Sequence, residues 1–187
     1  MKTSVLAATL AGLTLVAPVR AAEYNAIAAD RSSLDFVYRQ MGVPVAGRFK
    51  KFAAQISFDP ARPAAGKATL DVDLASIDAG SPEADDEVAG KVWFNTKGFP
   101  QARFVSSSVK SLGGNRYEVS GKMTIKGRTQ EVSAPFTFTP QGGGAVIDGA
   151  FVLKRADFAI GEGAWADFGT VANEIQIKFR FLVCAGK

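Results

Sequence analysis

No histidine occurs in the chain, and cysteine occurs once, as Cys184. The first absence removes Ser-His and Cys-His nucleophilic pairs and the common zinc sites, which depend on an imidazole. The second rules out an internal disulfide, so the fold must rest on packing alone. Cys184 falls on the outward face of the last strand pattern, where its thiol is either an intermolecular link or incidental. Charge of one sign is also scarce, with 22 Lys and Arg against 18 Asp and Glu. The basic groups Arg48/Lys50/Lys51 and Lys122/Lys126/Arg128 read as solvated strand faces and turns, so no nucleic-acid partner is expected.

Long apolar runs are missing except at residues 5–16, too short to span a bilayer comfortably. With Lys2 before it and small residues after it, that run reads as a secretory signal peptide, 1–21, cleaved after Ala21. Residues 22–187 would then form one exported domain in the periplasm. Losing Lys2 and Arg20 lowers the formal charge of +4 by two.

What the chain does have is strict apolar/polar alternation, clearest over residues 117–138. Tyr117, Val119, Gly121, Met123 and Ile125 share one face, and Val132, Ala134, Phe136 and Phe138 share another after a glycine turn. This is a β-hairpin pattern. The two apolar faces coincide only if the loop has an even number of residues. A type II′ turn at Gly127-Arg128 meets that condition and sets Val119 opposite Phe136; a loop at Lys126-Gly127 also keeps parity.

Similar alternation marks strands at 34–39, 45–58, 67–74, 102–109, 145–153 and 174–184. In the second, Phe49 and Phe52 are out of phase, which a β-bulge near Lys50-Lys51 reconciles. One helix is expected at about 82–90, with Ser81 as cap, Pro82 at the first position, and Glu83, Asp85 and Asp86 at the positive end of the dipole. Those carboxylates lack calcium-loop spacing, so capping accounts for them and no metal is expected. Gly142, Gly143 and Gly144 lead into a strand and cradle no phosphate. Residues 155–171 read as irregular.

About eight strands in a meander with one short helix argue an all-β fold, a closed antiparallel barrel or a sandwich, with an eight-stranded barrel favoured. Mid-strand aromatics and the interrupting helix argue against an outer-membrane barrel. The inward face would carry Phe36, Tyr38, Phe52, Ile56, Val119, Met123, Phe136, Phe138, Phe151, Phe179 and Phe181, with Gly121 and Gly149 among them. Residue types alone leave two readings open, a filled core and a cavity.

Residues 93–107, WFNTKGFPQARFVSS, followed by 117–127, YEVSGKMTIKG, resemble the central pattern of the YceI-like family. Further matches are 41–49 (MGVPVAGRF), 58–60 (FDP), 154–161 (KRADFAIG) and 171–177 (VANEIQI), in order over nearly the whole exported chain. The resemblance implies a lipocalin-like barrel whose tunnel takes a polyisoprenoid or a quinone-like lipid in the periplasm. It implies no catalytic motif, so a binding protein and not an enzyme is expected, with no cofactor beyond the bound lipid. The Trp165-containing stretch 163–168 and the run 171–174 depart from the commoner pattern and suggest a subgroup with its own ligand. Trp93, Trp165 and Arg155 are the candidates for the tunnel mouth. Peripheral membrane contact, and a monomer or homodimer, fit this reading. The alternative is a filled-core, non-enzymatic interaction module that partners a membrane redox protein.

Overall fold

The alternation read along the sequence becomes a meander of antiparallel strands around an apolar interior. The computed structural model describes residues 24–185, so the expected signal peptide lies outside the described residues. The strands are β1 (Tyr24–Ile27), β2 (Ser33–Gln40), β3 (Val43–Phe49), β4 (Phe52–Ser57), β5 (Lys67–Asp73), β6 (Ile77–Asp78), β7 (Gln101–Gly113), β8 (Arg116–Ile125), β9 (Arg128–Gln141), β10 (Gly144–Lys154) and β11 (Glu174–Ala185). The single α-helix, α1, spans Pro82–Ala89. It starts as expected, with the Ser81 hydroxyl accepting from the Ala84 N–H at 3.3 Å.

The sheet has 11 strands where about eight were expected; a shared corner accounts for two of the extra strands and the short β1 for the third. β3 and β4 are halves of one bent strand, and β5 and β6 are halves of its partner; β3 pairs with β6, and β4 with β5. No bulge forms at Lys50-Lys51. The strand breaks there instead, and Ser76 staples the corner. Its carbonyl accepts from Lys50 N at 3.0 Å, and its hydroxyl accepts from Lys51 N at 2.9 Å and donates to the Asp73 carbonyl at 2.6 Å. With both bends counted once, eight long strands pair in sequence order, and β11 returns to β2 with Phe179 opposite Leu34. The short β1 lies along β11 and bridges to the end of β4 at Tyr24 and Phe58.

The β8–β9 hairpin takes the second even loop. Lys126 and Gly127 both have positive φ, 50° and 73°, so the turn is type I′ at Lys126-Gly127 and not type II′ at Gly127-Arg128. Parity is kept, so every expected inward residue still faces inward, but the partners shift: Tyr117 faces Phe136 and Val119 faces Ala134. Two contacts go with this register. Tyr117 and Phe136 stack at 5.4 Å, and Lys126 reaches across to the Ala159 carbonyl at 2.7 Å and the Glu162 carboxylate at 2.8 Å.

The two ends of the barrel differ. One is plugged by aromatic rings, with Phe58 lying 5.0 Å from Tyr117, 5.8 Å from Phe136 and 5.3 Å from Phe138, and Tyr24 edge-on to Phe138. The other is covered by α1, Trp93 and the segment 155–173. Outward positions such as Lys122, Glu131, Lys178 and Arg180 are exposed, so the apolar face points in and the polar face out.

Candidate functional site

The barrel encloses an apolar cavity of about 600 Å³, within the size range of small-molecule sites. Most of the expected wall residues border it: Phe36 and Tyr38 on β2, Ile56 on β4, Val119 and Met123 on β8, and Phe136, Phe151, Phe179 and Phe181 on β9 to β11. Tyr38, Val119, Met123 and Phe151 are only half-buried although they point inward, as expected for side chains facing empty space.

Three expected wall residues do not border the cavity. Phe138 is 2% exposed and belongs to the aromatic plug. Phe52 closes the seam beside β11, its ring 5.7 Å from that of Phe181. Gly121 opens no room in the lumen. A Cβ there would sit 2.8 Å from the Phe104 ring and 2.7 Å from Ser106 Cα, so its missing side chain lets β7 cross closely at the bulge between Ser106 and Ser108. Two other wall glycines do the same for rings: Phe36 packs over Gly47, its cross-strand partner, and Phe179 packs over Gly149. Both rings rest on glycine backbone where they border the cavity.

Trp93, Trp165 and Arg155 all border the cavity at the covered end. The two indole rings lie 5.4 Å apart, and Trp93 Nε1 donates to Glu87 Oε1 at 3.2 Å. Arg155 is not an open headgroup contact. It is 1% exposed, and its five N–H donors go to five backbone carbonyls: Nε to Ala172 at 3.2 Å, Nη1 to Ile160 and Gly161 at 2.8 and 2.9 Å, and Nη2 to Trp165 and Val171 at 2.7 Å each. Its guanidinium is 5.5 Å from the Trp93 ring centroid and 5.2 Å from that of Phe168. Burial pulls its pKa below the ordinary arginine value. Arg155 therefore ties down the segment over the barrel mouth. Gly161, at φ 78°, lets the chain pass against its Nη1.

Lys126 and Glu162 clasp the same cover to the β8–β9 turn. The hydrogen bond from Lys126, and then its charge, hold the Glu162 carboxyl below the usual range. A depressed folded-state pKa contributes stability above the unfolded carboxyl pKa, and that contribution disappears as pH falls through the folded value. On going from pH 7 to acid, the urea midpoint of Glu162→Gln is accordingly expected to fall less than that of the parent. Identical pH profiles in a urea titration series would exclude the clasp as a stabilising contact.

Sequence reading missed the polar rim. Gln40, Ser81, Glu83 and Glu87 border the cavity at the α1 end and are all exposed. The signal was present: residues 83, 84, 87 and 88 share one face of a 3.6-residue helix, and Ala84 and Val88 on that face also line the cavity. Of the two rim carboxylates, the sequence reading assigns Glu83 to the helix dipole alone and does not single out Glu87. The Tyr38 phenol donates to the Ala79 carbonyl at 3.0 Å, and burial, then the charge of Asp85, raises its pKa, so it stays protonated. Among the described residues no three metal-ligating side chains come together, and no buried side-chain polar atom lacks a partner.

A family model described as a YceI-like domain matches residues 26–183. A UPF0312 protein of Shewanella oneidensis is 34% identical over 182 residues, covering 92% of this chain and 93% of that one. A UPF0312 protein of Pseudomonas putida is 34% identical over 138 residues, 71% of each chain. Among solved structures, Burkholderia cenocepacia BcnA superposes with a TM-score of 0.82 at 45% identity, over 84% of this chain and 99% of that one. A polyisoprenoid-binding domain from Saccharophagus degradans shares the fold, with a TM-score of 0.68 at 16% identity over 88% and 99% of the two chains. Family model, relatives and superpositions converge on one assignment: the chain belongs to the YceI-like domain family.

Proposed function

We propose that this protein is a non-enzymatic carrier that holds an amphiphilic isoprenoid or quinone-like lipid in the barrel, exported to the periplasm. The observation that carries this reading is the apolar cavity of about 600 Å³. At about 30 Å³ per non-hydrogen atom it takes on the order of 20 such atoms, or about four isoprene units. At about 0.8 kcal/mol per buried carbon, such a chain supplies more transfer energy than measured affinities display, so cavity length and calibre select the tail. Support also comes from the Saccharophagus degradans domain, which binds polyisoprenoid on the same fold, and from the signal-like residues 1–21. The absence of histidine from the whole chain favours holding a ligand over transforming it. The filled-core interaction module has no observation in its favour, since the interior is hollow.

The test is to extract the purified native protein with organic solvent and analyse the extract by mass spectrometry. An isoprenoid lipid near one equivalent per chain is expected. No co-purifying lipid, together with no binding of added farnesol, would overturn the proposal.

A further inference from the structure

The cavity is apolar along its walls, and ionisable side chains meet it at two borders. At the covered end, Glu83 and Glu87 stand one turn apart on α1, with Ser81 before them and Gln40 at the end of β2. Both carboxylates are oriented. Glu87 accepts from Trp93 Nε1, and Glu83 accepts from its own backbone N–H and from Ser81, which keeps its pKa below the usual range. Asp85 and Asp86 on the same helix add to the negative field. Against these four carboxylates stand the buried charge of Arg155, Lys91 just past the helix, and Lys50, which lies beside Asp85 and Asp86 but is paired with Asp78 at 3.3 Å, so the rim remains negative. Arg155 also has no N–H left to offer a ligand.

The second border, Ser57, Lys67 and Thr69, lies on β4 and β5. There Ile56 pairs with Ala68 inward, and the adjoining pair, Ser57 and Lys67, takes the outward side of the alternation. Beyond it the barrel end is plugged by the rings of Phe58, Tyr117, Phe136 and Phe138. A ligand with one polar end therefore meets its polar partners at the α1 rim.

From this rim we infer that the mouth selects its lipid by the charge of the polar end: an uncharged or cationic hydrogen-bond donor is accepted, and a phosphate or diphosphate is rejected. The inference rests on the isoprenoid reading above and specifies its ligand class. A hydroxyl or ammonium group donates to the Glu83 and Glu87 carboxylates and to the Gln40 side-chain carbonyl. A phosphate finds one neutral donor there, the Gln40 amide, and must sit against the charge of both carboxylates.

Three probes with one tail, farnesol, farnesylamine and farnesyl diphosphate, separate the outcomes by quenching of Trp93 and Trp165 fluorescence. In the parent protein the alcohol and the amine are expected to bind at least about tenfold more tightly than the diphosphate, with the gap shrinking as salt rises. In the double variant Glu83→Gln/Glu87→Gln the gap should narrow to about threefold or less. Equal binding of all three probes, or a gap that the double variant leaves intact, overturns the charge selection while leaving the carrier standing. Diphosphate binding that Lys67→Gln abolishes would place the polar end at the other border and also overturn it. Binding of none of the three overturns the charge selection, and, with no co-purifying lipid either, the carrier reading as well.

Discussion

Arg155→Met loses roughly 3–5 kcal/mol of stability and frees the cover over the barrel mouth. Five carbonyls, from Ile160, Gly161, Trp165, Val171 and Ala172, converge on one guanidinium, and hydrogen bonds to a charged group contribute about 1.5–3 kcal/mol each before non-additivity. Methionine restores the volume and none of the donors, leaving several buried acceptors without partners. Lysine does little better, because a compact ammonium with three donors cannot reproduce a planar fork that reaches five acceptors. The expected order of urea midpoints is parent, then Arg155→Lys, then Arg155→Met, with faster hydrogen exchange confined to the amides of residues 156–173. A loss under about 1 kcal/mol for Arg155→Met would remove Arg155 from this role. No carboxylate pairs with the guanidinium among the described salt bridges, so carbonyl dipoles and two aromatic faces stabilise the charge.

Gly149→Val is expected to cut lipid capacity sharply, with farnesol affinity falling at least about tenfold. A Cβ at residue 149 would overlap the Phe179 ring and approach the Pro135 carbonyl to 2.6 Å. The β9–β10 ladder ends at the pair Gly149 and Phe136, and Pro135 has no N–H to extend it, so the β9 backbone can give there. The ring has to swing into the lumen, where it takes volume from the ligand, and overpacking adds roughly 1–3 kcal/mol of destabilisation. Phe179→Leu in the same chain removes the clashing ring edge and is expected to restore most of the affinity. Unchanged farnesol binding in Gly149→Val, measured by fluorescence titration on folded protein, would show that the rings resting on glycine do not set the calibre of the cavity.

Much of the barrel was legible because alternation with period two is a local property. Ile175, Ile177, Phe179, Phe181 and Val183 face inward on β11 whatever lies beside them, and Ser81-Pro82 starts α1 wherever the helix packs. The fate of each inward side chain was not legible. Phe136 and Phe138 are identical by alternation, yet one borders the cavity and the other is wholly in the plug, because Tyr24 and Phe58 arrive from the far end of the chain to cap that side.

By itself, then, the sequence determined the strand periodicity, the inward face, the helix start, the exclusion of disulfide and imidazole chemistry, and the family pattern. Each follows from residue type and short-range spacing. The tertiary structure decided between two loops of equal parity, laid Phe36 and Phe179 over the glycines opposite them, gathered five carbonyls around Arg155, and swung Glu83 and Glu87 to the cavity rim. These depend on cross-strand register and on contacts between segments far apart in the chain, and neither is encoded in a local period.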